Sequence, residues 1–506
     1  MKRILSILAA VLFTVGCSAA AKERAEPSRP GDILIAAMLA SAEAGAQYND
    51  FQLVMRSLDP AMRDDMFVQL SPGVQYEVAE LYGAAAQVLG RSDAEHVATL
   101  RSTSNSQATN EDWDRRMHSA ILIGDGADAY LAFQNLNRGG HQPLSTFSGR
   151  QIDRFDRLLG DLPNGAEARI ALGREMEAED WEPPYAYNDP SLVRLHYVEA
   201  LLAQGDLKKA RTVAARITDP VVVMAMHSDR RFDSIVGSLS NLQDPLATAQ
   251  RYLQWAQGYA RDNPRMLSGR IAVMRALTIL NRPEDALNYA DETTQIMNRG
   301  SRAEPAFDDL SEVQVFEGWK NAALIGVGRV DAAVGGLTTS ASCHCSALAT
   351  IQLSRSLMEA ARPREAQRWL DSPNEDGLGL EDRMALSQAR ACVAAQLGES
   401  ATVMKEVEFL AAHESWKPGA RVAALVCADR LDDAASTLVK QIADPRSRLA
   451  ALSSLQTYAA EPGDKSYAAT LRARWAKLAA MPTIQAEVAK VGRIHRYDLQ
   501  ARDAVA

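Results

Sequence analysis

Apolar and small residues recur at helical spacing through most of the chain, and the pattern is clearest in residues 191–220. The first half of this segment predicts a helix with four apolar residues on one face: Leu195, Val198, Leu201 and Leu202. Gly205 then predicts a left-handed turn, and a second helix follows, centred on Ala210. The segment therefore predicts two helices packed as a hairpin.

The same combination, a turn residue followed five positions later by alanine, recurs along the chain. It is found at Gly124 and Ala129, Asn281 and Ala286, Gly328 and Ala333, Ala361 and Ala366, and Asp429 and Ala434. A small alanine lets the second helix approach the first closely, and glycine or asparagine tolerates the turn. Wider gaps leave room for degenerate units at about 232–260 and 383–412, and a weaker match surrounds Gly90.

These hairpins resemble the tetratricopeptide repeat, a helix-turn-helix unit of about 34 residues. Trp113 and Phe133 also fall at the family's aromatic positions around the turn at Gly124. The resemblance implies an all-α fold, an α-α superhelical solenoid of tetratricopeptide-like helix pairs with degenerate repeats. It also implies that the first helices of the pairs line a groove that binds a segment of a protein partner.

Composition agrees with helices, because aromatic residues make up only 6% and alanine and leucine dominate the 47% of hydrophobic residues. A mean hydropathy of -0.20 excludes a polytopic membrane protein. The formal charge is -9, and the sequence has no cluster of lysine and arginine residues, so it does not predict nucleic-acid binding.

The first residues resemble a bacterial lipoprotein signal. A basic start and a short apolar run end at Gly16 and Cys17, which predicts a signal peptide over 1–16, cleavage after Gly16 and lipidation of Cys17. Ser18 follows, rather than the aspartate typical of inner-membrane retention. We therefore expect a periplasm-facing lipoprotein of the outer membrane, with a lipidated tether over 17–31.

A segment rich in proline divides the remaining chain into two parts. Prolines and aromatic residues predict a linker over 181–190, between an N-terminal helical region with degenerate repeats (32–180) and a main tetratricopeptide-like array (191–481). Apolar residues at helical spacing predict a capping helix and tail over 482–506.

Four cysteines remain besides Cys17. Cys343 and Cys345 are candidates for a local disulfide, with two free thiols or part of a metal site as alternatives. Cys392 and Cys427 fall at similar heights on neighbouring first helices, where a bridge needs an unusual facing, so we expect two buried thiols.

Catalytic signals are weak. No histidine pair has the spacing of a zinc hydrolase, and no phosphate-binding or nucleophile-elbow motif is present, so we expect no catalytic residue, metal or cofactor. Glu414 and Ser415 resemble the Glu-Ser segment of lytic transglycosylases, in which the glutamate is a general acid. The Gly-Leu-Met-Gln segment that follows in that family is absent here.

The repeat resemblance places eight residues along the partner groove, with a solvated face as the alternative. They are Glu111, Asp114, His118, Leu192, Leu195, Glu199, Ile271 and Arg275. Trp181, Tyr185 and Tyr187 form a second candidate contact surface, because aromatic residues beside prolines are typical contact material. The alternative for this loop is an anchor packed between the flanking blocks.

The sequence therefore favours a non-catalytic, lipid-anchored periplasmic adaptor that binds protein partners in envelope assembly, secretion or peptidoglycan regulation. The main alternative is a peptidoglycan-active enzyme of lytic transglycosylase type, or its substrate-binding arm, through Glu414. A carrier of a soluble ligand is a third possibility. A catalytic acid in a deep cleft would favour the enzyme, and a long open groove would favour the adaptor. A closed ring with a central cavity would favour the carrier.

Overall fold

The computed structural model describes seven stretches of the chain: residues 30–140, 142–301, 304–342, 347–371, 378–414, 416–459 and 467–500. The chain divides into two compact units, Met1–Pro143 and Leu144–Ala506. Regular structure in the described stretches is helical, apart from two isolated bridges. No helix in these stretches has the length and apolar character needed to cross a bilayer.

The described residues of the first unit form seven helices. They are α1 (Pro30–Gln47), α2 (Phe51–Leu58), α3 (Asp64–Phe67), α4 (Pro72–Val88), α5 (Ser92–Thr103), α6 (Asn110–Ile123) and α7 (Gly126–Arg138). Helices α4 and α5, and α6 and α7, pack as successive hairpins. Leu58, Val78 and Ala86 are fully buried in the core between α1 and α5.

The second unit continues the same architecture. Its helices are α8 (Gly149–Gly160), α9 (Gly165–Ala178), α10 (Ser191–Ala203), α11 (Leu207–Ala214), α12 (Pro220–Ser228), α13 (Asp233–Val236), α14 (Pro245–Asp262), α15 (Leu267–Ile279), α16 (Pro283–Arg299), α17 (Val313–Gly326), α18 (Val330–Ser342), α19 (Ala347–Glu359), α20 (Pro363–Leu370), α21 (Leu380–Leu397), α22 (Ser400–Ala412), α23 (Pro418–Cys427), α24 (Leu431–Ala443), α25 (Arg448–Ser454), α26 (Tyr467–Ala479) and α27 (Pro482–Val491). From α14 to α24 each helix packs against the next, and α15, α19 and α21 also contact the helix two places on.

The predicted turn residues adopt the left-handed backbone that the repeat requires. The φ angles are 88° at Gly124, 79° at Gly205, 55° at Asn281, 77° at Gly328, 59° at Ala361 and 57° at Asp429. Only glycine adopts this region without a steric penalty, so three of the six turns bear a cost at the backbone.

The alanines five positions later are all fully buried: Ala129, Ala210, Ala286, Ala333, Ala366 and Ala434. Each is the fourth residue of the second helix of its hairpin. The turns and the buried alanines together confirm the predicted all-α solenoid of tetratricopeptide-like helix pairs.

One of the two predicted degenerate units is present. Helices α21 and α22 meet at Gly398, whose φ is 76°, within the predicted segment 383–412. The segment 232–260 does not form a hairpin, because the four-residue α13 is followed by the single long helix α14. Pro245 and the Asp244 cap fix the point at which α14 begins.

The predicted linker over 181–190 does not separate the units, which divide after Pro143 instead. Trp181 is buried and its indole donates to the Leu144 carbonyl at 2.9 Å, so the loop is anchored inside the second unit. The prolines keep the segment non-helical, as expected, but its aromatic side chains pack inwards.

The C-terminal part of the second unit packs back onto its early helices. Helix α27 spans Pro482–Val491, and residues 492–500 after it are hydrogen-bonded to other parts of the unit. The Arg493 guanidinium meets Asp233 through two 2.7 Å bonds, and the Arg493 amide donates to the Ser228 carbonyl at 2.8 Å. The Gln500 amide donates to the Ile279 carbonyl at 2.8 Å. Residues 492–500 therefore join helices α12, α13 and α15 to the end of the array.

A disulfide joins Cys392 and Cys427, so the prediction of two buried thiols is wrong. Helices α21 and α23 pack side by side, and the two Cα atoms lie 5.0 Å apart, within the usual range for a bridge. The hydroxyl of Tyr467 donates to the Cys427 carbonyl at 3.0 Å and covers the end of α23.

Four predicted sites lie outside the described residues: Gly16, Cys17, Cys343 and Cys345. Signal cleavage, lipidation and the local disulfide therefore remain predictions.

Candidate functional site

The best-placed groove residues lie on the first unit. Glu111 is exposed at the start of α6, and Asp114 and His118 on the same helix are half-buried. Helix α4 repeats the arrangement, because Glu77 and Glu80 precede its turn by the same offsets at which Glu111 and Asp114 precede theirs. We call these five residues the acidic face.

A polar network joins α4 to α6 beneath the acidic face. Arg115 donates to Asp112 at 2.7 Å and also pairs with Glu80. The Tyr76 hydroxyl donates to Asp112 at 2.9 Å. Asp112 is also the N3 residue of the α6 capping box with Thr109, so the network fixes the start of the helix.

The network also sets the protonation of its carboxyl groups. Burial raises the pKa of Glu80 to about 7, although the charge of Arg115 opposes this. Burial acts in the same direction on Asp112, but hydrogen bonds from Glu80 and Thr109 outweigh it and lower the pKa of Asp112. Burial lowers the pKa of His118, which favours the neutral imidazole. Glu80 therefore adds its negative charge to the acidic face mainly above pH 7.

The groove residues predicted on α10 differ in their exposure to solvent. Leu192 is 39% exposed, whereas Leu195 is completely buried in the core with Val198. Glu199 pairs with Arg231, which also binds Asp229. The prediction for Leu195 is wrong, because α10 packs between α9 and α11 and turns this face inwards.

The groove prediction also fails on α15. Ile271 is completely buried, and Arg275 pairs with Asp219 at 2.5 Å. Helices α14, α16 and α17 all pack against α15, so this first helix has no open face at these positions.

The aromatic loop is an anchor rather than a contact surface. Tyr187 is buried and its hydroxyl donates to Glu312, and Tyr185 lies 3.4 Å from the Ser311 hydroxyl. Together with the buried Trp181, these contacts correct the prediction of an exposed contact loop and agree with the alternative of an anchor between the flanking blocks.

Glu414 does not have the surroundings of a general acid. One carboxylate oxygen accepts from Arg421 at 3.0 Å, and the other accepts from the Gln441 amide at 2.7 Å. Both carboxylate oxygens are therefore engaged by neighbouring side chains, whereas a general acid must reach the group that it protonates.

Four aspartates converge in the second unit, and no sequence motif pointed to them. Asp153 and Asp156 lie on α8, Asp189 ends the aromatic loop and Asp219 caps α12. We call them the aspartate cluster. Asp153 and Asp156 are one turn apart on α8, and Ser191 links the other two: its backbone amide donates to Asp189 at 2.7 Å, and its hydroxyl accepts from the Asp219 backbone amide at 3.1 Å. They come from three separate segments, so spacing alone could not reveal them.

The aspartates differ in their partners. Asp156 accepts from His196 at 2.5 Å and pairs with Arg169 at 3.2 Å. Asp189 accepts from the Thr218 hydroxyl at 2.5 Å and from a backbone amide at 2.7 Å. No three acidic, histidine or cysteine side chains in the described stretches have the geometry to hold a metal ion.

Comparisons with known proteins give only distant likenesses. No family model matches the sequence, and no curated protein matches it significantly. Among solved structures, one similar chain is from the APC/C hetero-tetramer Cut9-Hcn1, with 11% identity, a TM-score of 0.29 and coverage of 94% of this chain and 97% of that chain. Another is from Naa15/Naa10 bound to HypK-THB, with 11% identity, a TM-score of 0.24 and coverage of 90% and 87%. The left-handed turns and buried alanines, rather than these likenesses, make the fold a tetratricopeptide-like helical solenoid.

Proposed function

We propose that this protein is a helical-repeat adaptor whose first unit binds a basic segment of a protein partner. The acidic face carries the proposal: Glu77 and Glu111 are exposed at equivalent positions of successive first helices. The network around Arg115 and Asp112 holds these helices together. A preformed face of this kind lowers the ordering cost of binding, and its charge selects a complementary segment.

The proposed location is the periplasmic side of the outer membrane, with the lipid anchor on Cys17. Support comes from the lipoprotein-like signal in the sequence and, independently, from the disulfide between Cys392 and Cys427. Structural disulfides persist in oxidising compartments such as the periplasm and are rare in the cytosol. Envelope assembly, secretion and peptidoglycan regulation are the processes in which such an adaptor would act.

Binding is tested with Glu77→Lys and Glu111→Lys combined, because both side chains are exposed and neither is needed by the core. The wild type should bind a lysine-rich peptide in fluorescence anisotropy, and binding should weaken as salt rises. In crosslinking pull-downs from membranes, the double variant should lose the partners that the wild type captures. Glu284→Lys, an exposed change on α16, is the matched control.

Two outcomes would contradict the proposal. One is capture of the same partners by the double variant and the wild type, and the other is tighter binding of an acidic peptide than a basic one. The anchor is tested separately: Cys17→Ala should release the protein from the membrane fraction, and mass spectrometry should find acyl chains on the wild type alone. An unmodified wild-type Cys17 would refute the anchor without affecting the groove.

A further inference from the structure

The C-terminal segment, residues 492–500, lies along helix α12 and contacts three of its carbonyl groups. The Arg493 amide donates to Ser228 at 2.8 Å, His495 Nε2 donates to His227 at 3.1 Å, and the Tyr497 hydroxyl donates to Met224 at 3.3 Å. Alternate residues of an extended chain point to the same side. Arg493, His495 and Tyr497 therefore form one row against α12.

His495 is held between α12 and the residues that follow α25. Its amide donates to Gln456 at 2.7 Å, and its carbonyl accepts from the Thr457 amide at 3.0 Å. Its ring lies edge-on to that of His227, with 6.1 Å between the ring centroids. A carbonyl oxygen only accepts hydrogen bonds, so Nε2 of His495 carries a proton and Nδ1 is the atom that can gain another.

A second proton on His495 adds a positive charge beside two other basic groups, His227 and Arg493. The Arg493 guanidinium already pairs with Asp233 through two bonds of 2.7 Å, so this carboxylate is engaged. The other titratable groups around the ring are Tyr497, whose ring centroid is 5.7 Å away, and Tyr458, which stacks on Tyr497. The remaining charged side chains of the segment, Arg496 and Asp498, are exposed.

We propose that the C-terminal segment is an acid-sensitive strap, which is docked on α12 and α13 while His495 is neutral and is released when His495 is protonated. Leu499 of the segment is 1% exposed and packs in an apolar cluster with Met224, Ala249 and Ile279. Release uncovers this cluster, so acid exposes an apolar surface that is covered at neutral pH. This regulation belongs to the second unit and is independent of the partner binding proposed for the first unit.

The direction of the effect follows from proton linkage. Burial lowers the pKa of His495 below its ordinary value of 6.5, and the charges of His227 and Arg493 act in the same direction, against the hydrogen bond to the His227 carbonyl. The released segment therefore binds a proton more readily than the docked segment. Docking is strongest at neutral pH and weakens as the pH falls below 6.5.

The test is hydrogen–deuterium exchange of the full protein, measured by mass spectrometry near pH 7.5 and near pH 5. His495→Gln keeps a side-chain N–H for the His227 carbonyl but cannot gain a charge. A comparison of variant and wild type at the same pH cancels the intrinsic pH dependence of amide exchange. Because a pKa difference of one changes an opening equilibrium about tenfold, acid should accelerate exchange in residues 220–236 and 492–500 about tenfold more in the wild type than in the variant.

The matched control is His413→Gln, because His413 also donates to a backbone carbonyl, that of Phe409 at 2.8 Å, but lies at the end of α22. This control should keep the acid response of the wild type. Helices α21 and α22 report general acid unfolding and should exchange alike in the wild type and His495→Gln. Three results would each overturn the proposal: an equal acid response of the segment in these two proteins, no acid response in the wild type, or the same acceleration in α21 and α22.

Discussion

Glu95 occupies a position at which other repeats have a buried alanine. It follows the turn glycine Gly90 by five residues, as Ala129 follows Gly124. The side chain is 3% exposed, and its Oε1 atom makes no hydrogen bond within the described structure. The seam between α4 and α5 therefore contains a buried carboxyl group with incomplete hydrogen bonding.

The energetic effect follows from protonation. Burial raises the pKa of Glu95 to about 7 from an ordinary value of 4.5, despite the charge of Arg115. Between these values the folded unit binds a proton that the unfolded chain has lost, so stability falls as the pH rises. Since one pKa unit corresponds to about 1.4 kcal/mol, about 3 kcal/mol of unfolding free energy is lost across this interval.

Glu95→Gln removes this titration and keeps the shape of the side chain. The variant and the wild type should have similar stability near pH 5, and the variant should be about 3 kcal/mol more stable near pH 8. Glu80 titrates in both proteins, so the difference between them isolates Glu95. Glu111→Gln, at an exposed carboxylate, is the control and should show no such difference.

The assay must report on the first unit alone, because a two-unit chain does not unfold in one step. Trp113 is the only tryptophan in residues 1–143, so fluorine NMR of fluorotryptophan-labelled protein follows that unit through a urea titration. A stability difference between variant and wild type that stays constant from pH 5 to pH 8 would refute the reasoning about Glu95.

Three further predictions concern the second unit and are measured by urea unfolding. Replacing both Cys392 and Cys427 with serine should lower stability by about 4 kcal/mol under oxidising conditions, because the bridge joins residues 35 apart; reductant should abolish the difference. Ala361→Gly should stabilise by about 1 kcal/mol, since Ala361 has a φ of 59°, whereas Ala360→Gly should not stabilise; equal effects would contradict this account of the turn. Ala286→Leu should destabilise by about 1–3 kcal/mol, because the fully buried Ala286 leaves no room for a larger side chain; an unchanged unfolding midpoint would contradict this.

The sequence predicts those parts of the fold that depend on local geometry. A left-handed turn and a small residue five positions later are both visible in the chain, and the predicted residues adopt these roles even at Ala361 and Asp429. The disulfide was missed because it depends on how α21 and α23 are rotated about their axes. Helical spacing gives the height of Cys392 and Cys427 but not their facing.

The candidate site was predictable only where the neighbours of a helix are also predictable. Glu111 keeps the exposure expected from the repeat. Ile271 does not, because three other helices enclose α15. Tyr187 is ambiguous in sequence, since an aromatic residue beside prolines suits a contact surface and an anchor equally well. Asp189 and Asp219 give no signal in the sequence, because only the tertiary fold links them through Ser191.

Residues 492–500 pack against the early helices of the second unit, and this contact affects how the unit folds. A repeat array held only by neighbouring contacts can grow from one end and lose single repeats independently. Here Arg493 and Asp233, 260 residues apart, must meet before the unit is complete. Contacts of such long sequence separation slow folding. During synthesis, the early helices of this unit therefore cannot complete their contacts until residues 492–500 have been made. Removal of residues 492–500 should loosen helices α12 and α13 rather than the adjacent α27.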